Sequence, residues 1–377
     1  MRTISPGQSR RRAAMLRTAG TLAAASVALA ACGSGGGAGP QPSATPTAGT
    51  GTGAPASAPA TAAADPFPTA AAVTAQRPVE CPAGGTTVSN AGDLRSALSA
   101  AKPGAVIRMT DGTYGGDFRL AASGTEAAPI WLCGSPKAVL DGEDDADYVL
   151  HLDGASWVRV VGFTVRNGQK GVMADRVQHS IIAQLQVNTI GDEAIHLRTA
   201  SSDNQVIGNV IRDTGNRREK FGEGVYVGSA SSNWCKYTDC GPDRSDRNSV
   251  IGNDIAGTTS ENIDIKEGTT GGVISGNTLS SDALTEADSW IDIKGNGWLI
   301  EDNTGIGGGA LEDGFQTHVE QKDWGRQNTF RRNRLPVNAK GYGIYIHEGA
   351  ETENIVSCDN QVSGASSGPS NIDCSSA

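Results

Sequence analysis

Apolar and polar residues alternate in a short phrase that recurs along the chain: Leu150-His151-Leu152, Val172-Met173-Ala174, Ile195-His196-Leu197, Val225-Tyr226-Val227, Ile263-Asp264-Ile265, Ile291-Asp292-Ile293, Phe315-Gln316-Thr317 and Ile344-Tyr345-Ile346. Alternation with a period of two marks a strand with one buried face. The first apolar positions lie 22, 23, 30, 38, 28, 24 and 29 residues apart. One short strand every twenty-odd residues, with insertions of variable length, predicts a β-solenoid. Strands that stack in register also stack their outward side chains. The predicted outward ladder is therefore His151, Met173, His196, Tyr226, Asp264, Asp292, Gln316 and Tyr345. Two residues further on comes a second: Asp153, Asp175, Arg198, Gly228, Lys266, Lys294, His318 and His347. A third, at the strand entrance, holds Glu193, Glu223, Glu261, Ser289 and Asp313.

Other patterns agree with stacked coils. Asn209, Asn253, Asn277, Asn303, Asn333 and Asn360 each follow a short strand at the same point of the repeat. Asparagine tolerates left-handed turns, and stacked amides can hydrogen-bond one another, so these residues read as structural. Asn90 to Leu98 reads as a capped amphipathic helix with Leu94, Ala97 and Leu98 on one face, ended by Lys102-Pro103-Gly104. Such a helix would cover the exposed core at one end of the stack. Together the helix, the coil length and the asparagine ladder resemble the right-handed parallel β-helix family, pectate-lyase-like, over about residues 85–365. The resemblance, not the spacing, implies the handedness. Insertions at Arg212–Gly222, Ser229–Arg247 and Asp282–Asp288 are expected to wall a groove.

The ends of the chain change the picture. Residues 1–32 read as an export signal, with Arg2, Arg10, Arg11, Arg12 and Arg17 ahead of an apolar stretch too short to span a membrane. It closes with Leu29-Ala30-Ala31-Cys32, which resembles the bacterial lipobox and implies lipidation of Cys32 and anchoring on the outer face of the membrane. Ser9-Arg10-Arg11-Arg12 also resembles a twin-arginine signal. Residues 33–79 are mostly Gly, Ala, Pro, Ser and Thr with almost no large apolar group and read as a flexible tether, leaving 80–377 as the folded domain, expected to be monomeric. Removing the five arginines of the signal takes the formal charge from −10 to −15, which argues against nucleic acid as a partner. Six cysteines remain besides Cys32, and an exported chain favours disulfides: Cys81 with Cys133, Cys235 with Cys240, Cys358 with Cys374.

Polar chemistry concentrates in the middle coils, where His196, Arg198, Tyr226, Asp264, Lys266, Asp292, Lys294, His318 and His347 form one connected patch. Glu223 and Glu261 on adjacent coils would repel each other and hold protons, or share a calcium ion. Lys266 and Lys294 are stacked like charges, which lowers the pKa of one and suits it to act as a base; Asp264 and Asp292 pull the other way and would make a plain salt-bridge ladder.

Glu261-Asn262-Ile263-Asp264-Ile265-Lys266 resembles the corresponding strand of chondroitinase-B and alginate-lyase type polysaccharide lyases. That resemblance implies Glu261 as a calcium ligand and Lys266 as the Brønsted base. The family's arginine on the next coil is Lys294 here, no histidine follows it, and a second glutamate expected before Glu261 is Thr259; Glu223 is placed to compensate. The implied activity is β-elimination in an acidic, uronate-containing polysaccharide, with Lys294 or His318 supporting the leaving oxygen. Arg198, Arg217, Arg218, His196 and His347 would meet sugar carboxylates, Tyr226 and Tyr345 would stack on rings, and Asp264 and Asp292 would line the same groove. Two rivals stand beside it: a surface lipoprotein that binds glycans without cleaving them, and a glycoside hydrolase using Asp264 and Asp292, whose stacking is closer than inverting hydrolysis wants.

Overall fold

The structure, a computed structural model, describes residues 78–376 except 310. The signal, the lipobox with Cys32 and almost all of the tether lie outside the described residues. The described chain winds into stacked coils, each giving one strand to each of three parallel sheets of 11, 10 and 10 strands. Sheet one runs from Thr86–Val88 to Ile355–Val356, sheet two from Gly112–Gly115 to Gln361–Ala365, and sheet three from Phe118–Leu120 to Gly368–Ser370. All eight predicted phrases lie in sheet three. Their register is as expected: His151 pairs with Met173, then His196, Tyr226, Asp264, Asp292, Gln316 and Tyr345 in unbroken succession.

The inward members explain why. Val172, Ile195, Val225, Ile263, Ile291, Phe315 and Ile344 are fully buried, each above its counterpart in the next coil. A register slip of one residue would swap this apolar column for the polar ladder, so burial of roughly 2 kcal/mol per side chain fixes the register.

At the corner between sheets one and two the asparagines form the predicted stack. Nδ2 of Asn209 donates to Asn253 Oδ1 (2.9 Å), and the relay continues through Asn277, Asn303 and Asn333 to Asn360. The left-handed residue, however, is the one before five of the six asparagines: Gly208, Gly252 and Gly276 have φ of 61°, 62° and 65°, and Asp302 and Arg332 take the same conformation. Glycine supplies that turn without a steric penalty. The asparagine supplies the hydrogen bonds. A second stack was not foreseen: Asn204 donates to Asn248 (3.1 Å), and Asn354 accepts from the Asn328 backbone, at the corner where sheet one begins.

The helix Ala91–Ser99 is capped by Asn90, whose side chain accepts from Asp93 N, and it buries Leu94 and Leu98 against the strands of the first coil. All three disulfides pair as expected, Cys81–Cys133, Cys235–Cys240 and Cys358–Cys374. The long insertions fall at the two ends of sheet-three strands, so they flank its outward face.

Candidate functional site

The outward face of sheet three carries the predicted patch in four consecutive coils. Tyr226, Asp264, Asp292 and Gln316 follow one another in register, and Lys266, Lys294 and His318 leave the strand ends just beyond them. Asp264 is the hub. Its Oδ2 lies 2.5 Å from Lys266 Nζ and its Oδ1 3.0 Å from Lys294 Nζ, which also reaches Asp292 Oδ2 at 2.9 Å. His318 Nε2 stands 3.2 Å from Asp292 without hydrogen-bond geometry, and the His318 ring lies 6.0 Å from that of His347. Lys266 Nζ sits 4.9 Å from the centroid of the Tyr226 ring.

This arrangement corrects the expectation for the lysines. Burial disfavours their charge, but Asp264 more than offsets it, and both are held above the ordinary lysine range. Mutual repulsion does not decide the outcome because a carboxylate stands between them. Burial also pushes Asp292 up, yet the charge of Lys294 and the neighbouring His318 hold it well below the usual carboxylate range. Tyr226 is displaced the other way: burial first, then Asp264 and Glu223, raise it well above the ordinary phenol value. It therefore keeps its proton, and its hydroxyl makes no hydrogen bond among the described residues.

Glu223, Glu261 and Asp264 each offer an oxygen within 4.8 Å of the others. Burial, with Glu193, Asp264 and Glu261 nearby, raises Glu223 well above its normal range. Burial, with Asp292 and Asp264, pushes Glu261 up to about 7. Glu261 accepts from Ser260 Oγ at 2.7 Å, while the buried Glu223 Oε2 has no partner. An orphaned buried oxygen among three carboxylates is the donor set a hard cation takes, so these residues fit calcium. Asp264 must then loosen its hold on a lysine. The sequence had assigned Glu223 and Glu261 to this role and Asp264 to the sugar.

Toward the N-terminal coils the face holds two networks that sequence reasoning passed over. Lys170 pairs with Glu193, whose Oε1 is 3.4 Å from His196 Nδ1; His196 Nε2 meets the Gly228 carbonyl at 2.9 Å, and the ring packs 4.4 Å from Tyr226. Burial pulls His196 down, so it is neutral at pH 7. One register position away, Arg198 is held by Asp175 (2.7 and 3.3 Å) and Tyr148 (3.1 Å), and His151 Nε2 meets the same aspartate at 2.9 Å. Asp175, which looked bland in the sequence, is a centre of this network. Arg217 and Arg218, expected to be available to substrate, are both paired to the fully buried Asp192. Tyr345 is half-buried and stacks on Tyr342 (6.0 Å). A cavity of about 380 Å³ opens over this part of the face, walled by Arg218 and Phe221 from one insertion and Asn233, Lys236 and Tyr237 from the other.

No protein-family model and no curated protein sequence matches the chain. Solved structures do. An alginate lyase from Paenibacillus sp. str. FPU-7 is similar at 33% identity and a TM-score of 0.71, the match covering 76% of this chain and 98% of that one. A rhamnogalacturonan lyase is similar at 12% identity with a TM-score of 0.52, covering 68% of this chain and 75% of that one, and shares the fold alone. The three-sheet coil, the sheet-three groove and the near full-length match to the Paenibacillus enzyme place this chain in the pectate-lyase-like parallel β-helix family of polysaccharide lyases.

Proposed function

We propose that the protein cleaves an acidic, uronate-containing polysaccharide by β-elimination, with alginate the first candidate. The observation that carries this reading is the Tyr226–Lys266 pair on neighbouring coils, a protonated phenol whose ring centroid lies 4.9 Å from the lysine Nζ, on the floor of a groove in a chain that matches nearly all of an alginate lyase. Lysine in its free-base form takes the proton from C5 of the uronate; the electrons form the C4–C5 double bond, and the C4–O bond breaks. Tyr226 gives its proton to the leaving oxygen, a task the sequence had assigned to Lys294 or His318. Both of those are engaged with Asp292.

Asp264 controls the resting state. While it faces Lys266 the lysine is an ammonium, and a shift toward Lys294, its other partner, releases the base. Glu223, Glu261 and Asp264 would hold calcium, which would neutralise the uronate carboxylate and make the C5 proton acidic. The lipobox supports anchoring through Cys32 on the outer membrane face, and the three disulfides suit an exported domain. Metabolic labelling with palmitate, present in the wild type and lost in Cys32→Ala, checks that placement.

The test of activity uses the soluble domain from residue 78 on alginate, polygalacturonate and chondroitin sulfate, following the ultraviolet absorbance of unsaturated uronate. Absorbance that Lys266→Ala and Tyr226→Phe both remove supports elimination by this pair. Reducing ends without absorbance would mean hydrolysis. A second reading, glycan binding without turnover, is favoured by one observation: both lysines are already tied to aspartates. Binding with neither product would establish it.

A further inference from the structure

The insertion that follows the Tyr226 strand has a rigid base and a separately fastened tip. At the base, the fully buried Asp243 accepts from Thr199 N, Ala200 N, Ser229 Oγ and Ser245 Oγ, all at 2.8–2.9 Å. Trp234 Nε1 donates to the Ser229 carbonyl (2.9 Å), and Glu267 accepts from Ser231 N (2.6 Å). The tip is the short helix Trp234–Tyr237, closed by the Cys235–Cys240 disulfide, both of whose cysteines are exposed. Neither cysteine belongs to the hydrophobic core. What the tip presents is Tyr237, whose ring lies 4.0 Å from the Arg198 guanidinium, and Lys236, which has no carboxylate partner among the described residues.

Arg198 is 7% exposed and fixed on three sides. Nε and Nη2 are committed to Asp175 and Tyr148, and the Tyr237 ring covers a face. Nη1 makes no hydrogen bond among the described residues, and Arg198 lines the 380 Å³ cavity. A buried guanidinium, immobilised with one pair of N–H donors unused, is a preorganised carboxylate receptor. The carboxylates of that cavity are not competitors: Glu193 is taken by Lys170, and Asp147 is exposed to solvent.

We propose that Arg198 Nη1, Lys236 and Tyr237 form a carboxylate socket for one uronate unit of the polysaccharide chain, one coil N-terminal to Tyr226, and that the Cys235–Cys240 staple exists to hold its lip. Arg198 and Lys236 take the carboxylate and Tyr237 packs on the sugar ring. The spacing of one coil, about 4.8 Å, puts this unit beside the one that reacts. The socket rests on the lyase reading for its role in turnover but not for its existence as a binding site.

The experiment therefore measures binding and turnover separately. Calorimetry of alginate tetrasaccharides is run on Lys266→Ala, with Lys236→Ala, Tyr237→Ala and the pair Cys235→Ser/Cys240→Ser added in turn, and a neutral cello-oligosaccharide as comparison. Lys137→Ala, an exposed charge remote from the groove, is the control. Each lip change should weaken tetrasaccharide binding about tenfold, the worth of one charge-assisted contact, with the melting temperature unmoved, and in otherwise wild-type enzyme the loss should sit in KM rather than kcat. Arg198 itself is left in place, because removing it would strand the buried Asp175. Equal binding across the lip variants overturns the socket, as does equal affinity for the neutral sugar or no uronate binding at all. Lip-dependent binding without cleavage of any polymer would sustain the socket and remove the lyase reading.

Discussion

Two side-chain stacks run along this molecule, and they are built on opposite principles. The asparagine stack is homotypic: each amide donates to the next and to a backbone carbonyl and accepts from the previous coil, so every polar atom is satisfied. The sheet-three stack is heterotypic. Tyrosine, aspartates, lysines and histidines follow one another, and it leaves Glu223 Oε2, His196 Nδ1, His318 Nε2 and His347 Nδ1 buried without a hydrogen bond. An unpaired buried polar atom costs about 1–3 kcal/mol. A solenoid able to satisfy a stack at one corner has left polar atoms of this face unpaired, and the proposed site rests on that contrast.

The largest expected effect breaks the functional stack alone. Tyr226→Phe and Lys266→Ala should each lower kcat about a thousandfold, the contribution of a positioned acid or base, while thermal unfolding stays within a degree or two of wild type. A change in activity below tenfold in both would remove this pair from the chemistry.

Breaking the other stack should do the reverse. Asn277→Ala removes bonds to Asn253 N, Asn253 Nδ2, Val250 O and Asn303 Oδ1, all at 2.8–2.9 Å. Unfolding in urea should show a loss of about 3 kcal/mol, with kcat at low temperature retained. A stable Asn277→Ala with impaired turnover would reverse the roles of the two stacks.

What the sequence shows of these stacks follows from what each depends on. Strand register depends on period-two burial, so Ile195 to Ile346 could be aligned by eye and their outward neighbours came with them. Disulfide partners were near in sequence or at the ends. Pairing among the charged side chains was another matter. Whether Asp264 faces Lys266, Lys294 or both is set by rotamers and by the depth of the groove, and sequence spacing carries neither. Arg217 and Arg218 looked free because Asp192, their partner, lies a coil away and has a sequence context no different from that of a solvated loop aspartate. The one available signal was Asp192 itself, acidic and directly before the Glu193 of the entrance ladder. The Lys170–Glu193 pair was missed for the same reason: the two residues lie on adjacent coils, and spacing does not show which neighbour a charged side chain turns toward.

A smaller effect sharpens the comparison within sheet three. Burial raises Asp175, but hydrogen bonds from His151, Arg198 and Thr199 and the charge of Arg198 overcome it, holding it well below the usual carboxylate range. A depressed folded-state pKa adds stability that is fully present above the unfolded value near 3.9 and is lost as pH falls below it. Asp175→Asn should thus cost about 2 kcal/mol at pH 7, with the gap to wild type closing between roughly pH 4 and 2. Urea midpoints across that range decide it. A gap that stays constant with pH would show that Asp175 acts through packing and not through its charge.

The smallest expected effect concerns the orphan on Glu223. If a calcium ion completes Glu223, Glu261 and Asp264, millimolar calcium should raise the melting temperature by about 2–3 °C, the shift that tenfold saturation gives a domain of this size. Magnesium should do less, because it gives up its water reluctantly. Proton and metal compete for Glu261, whose pKa burial and the neighbouring aspartates push up to about 7. An acid raised in the folded state destabilises it as pH climbs from the unfolded value toward the folded one. Calcium relieves that repulsion, so its stabilisation should be greater at pH 8 than at pH 6. Glu223→Gln, which fills the same space with a neutral amide, should abolish the calcium response and leave the protein as stable as wild type in chelator. A calcium shift that survives Glu223→Gln, or one that is independent of pH, would put the ion elsewhere. The heterotypic stack would then hold protons at this point, with the buried Glu223 and the half-buried Glu261 sharing the face with Lys266 as neutral acids.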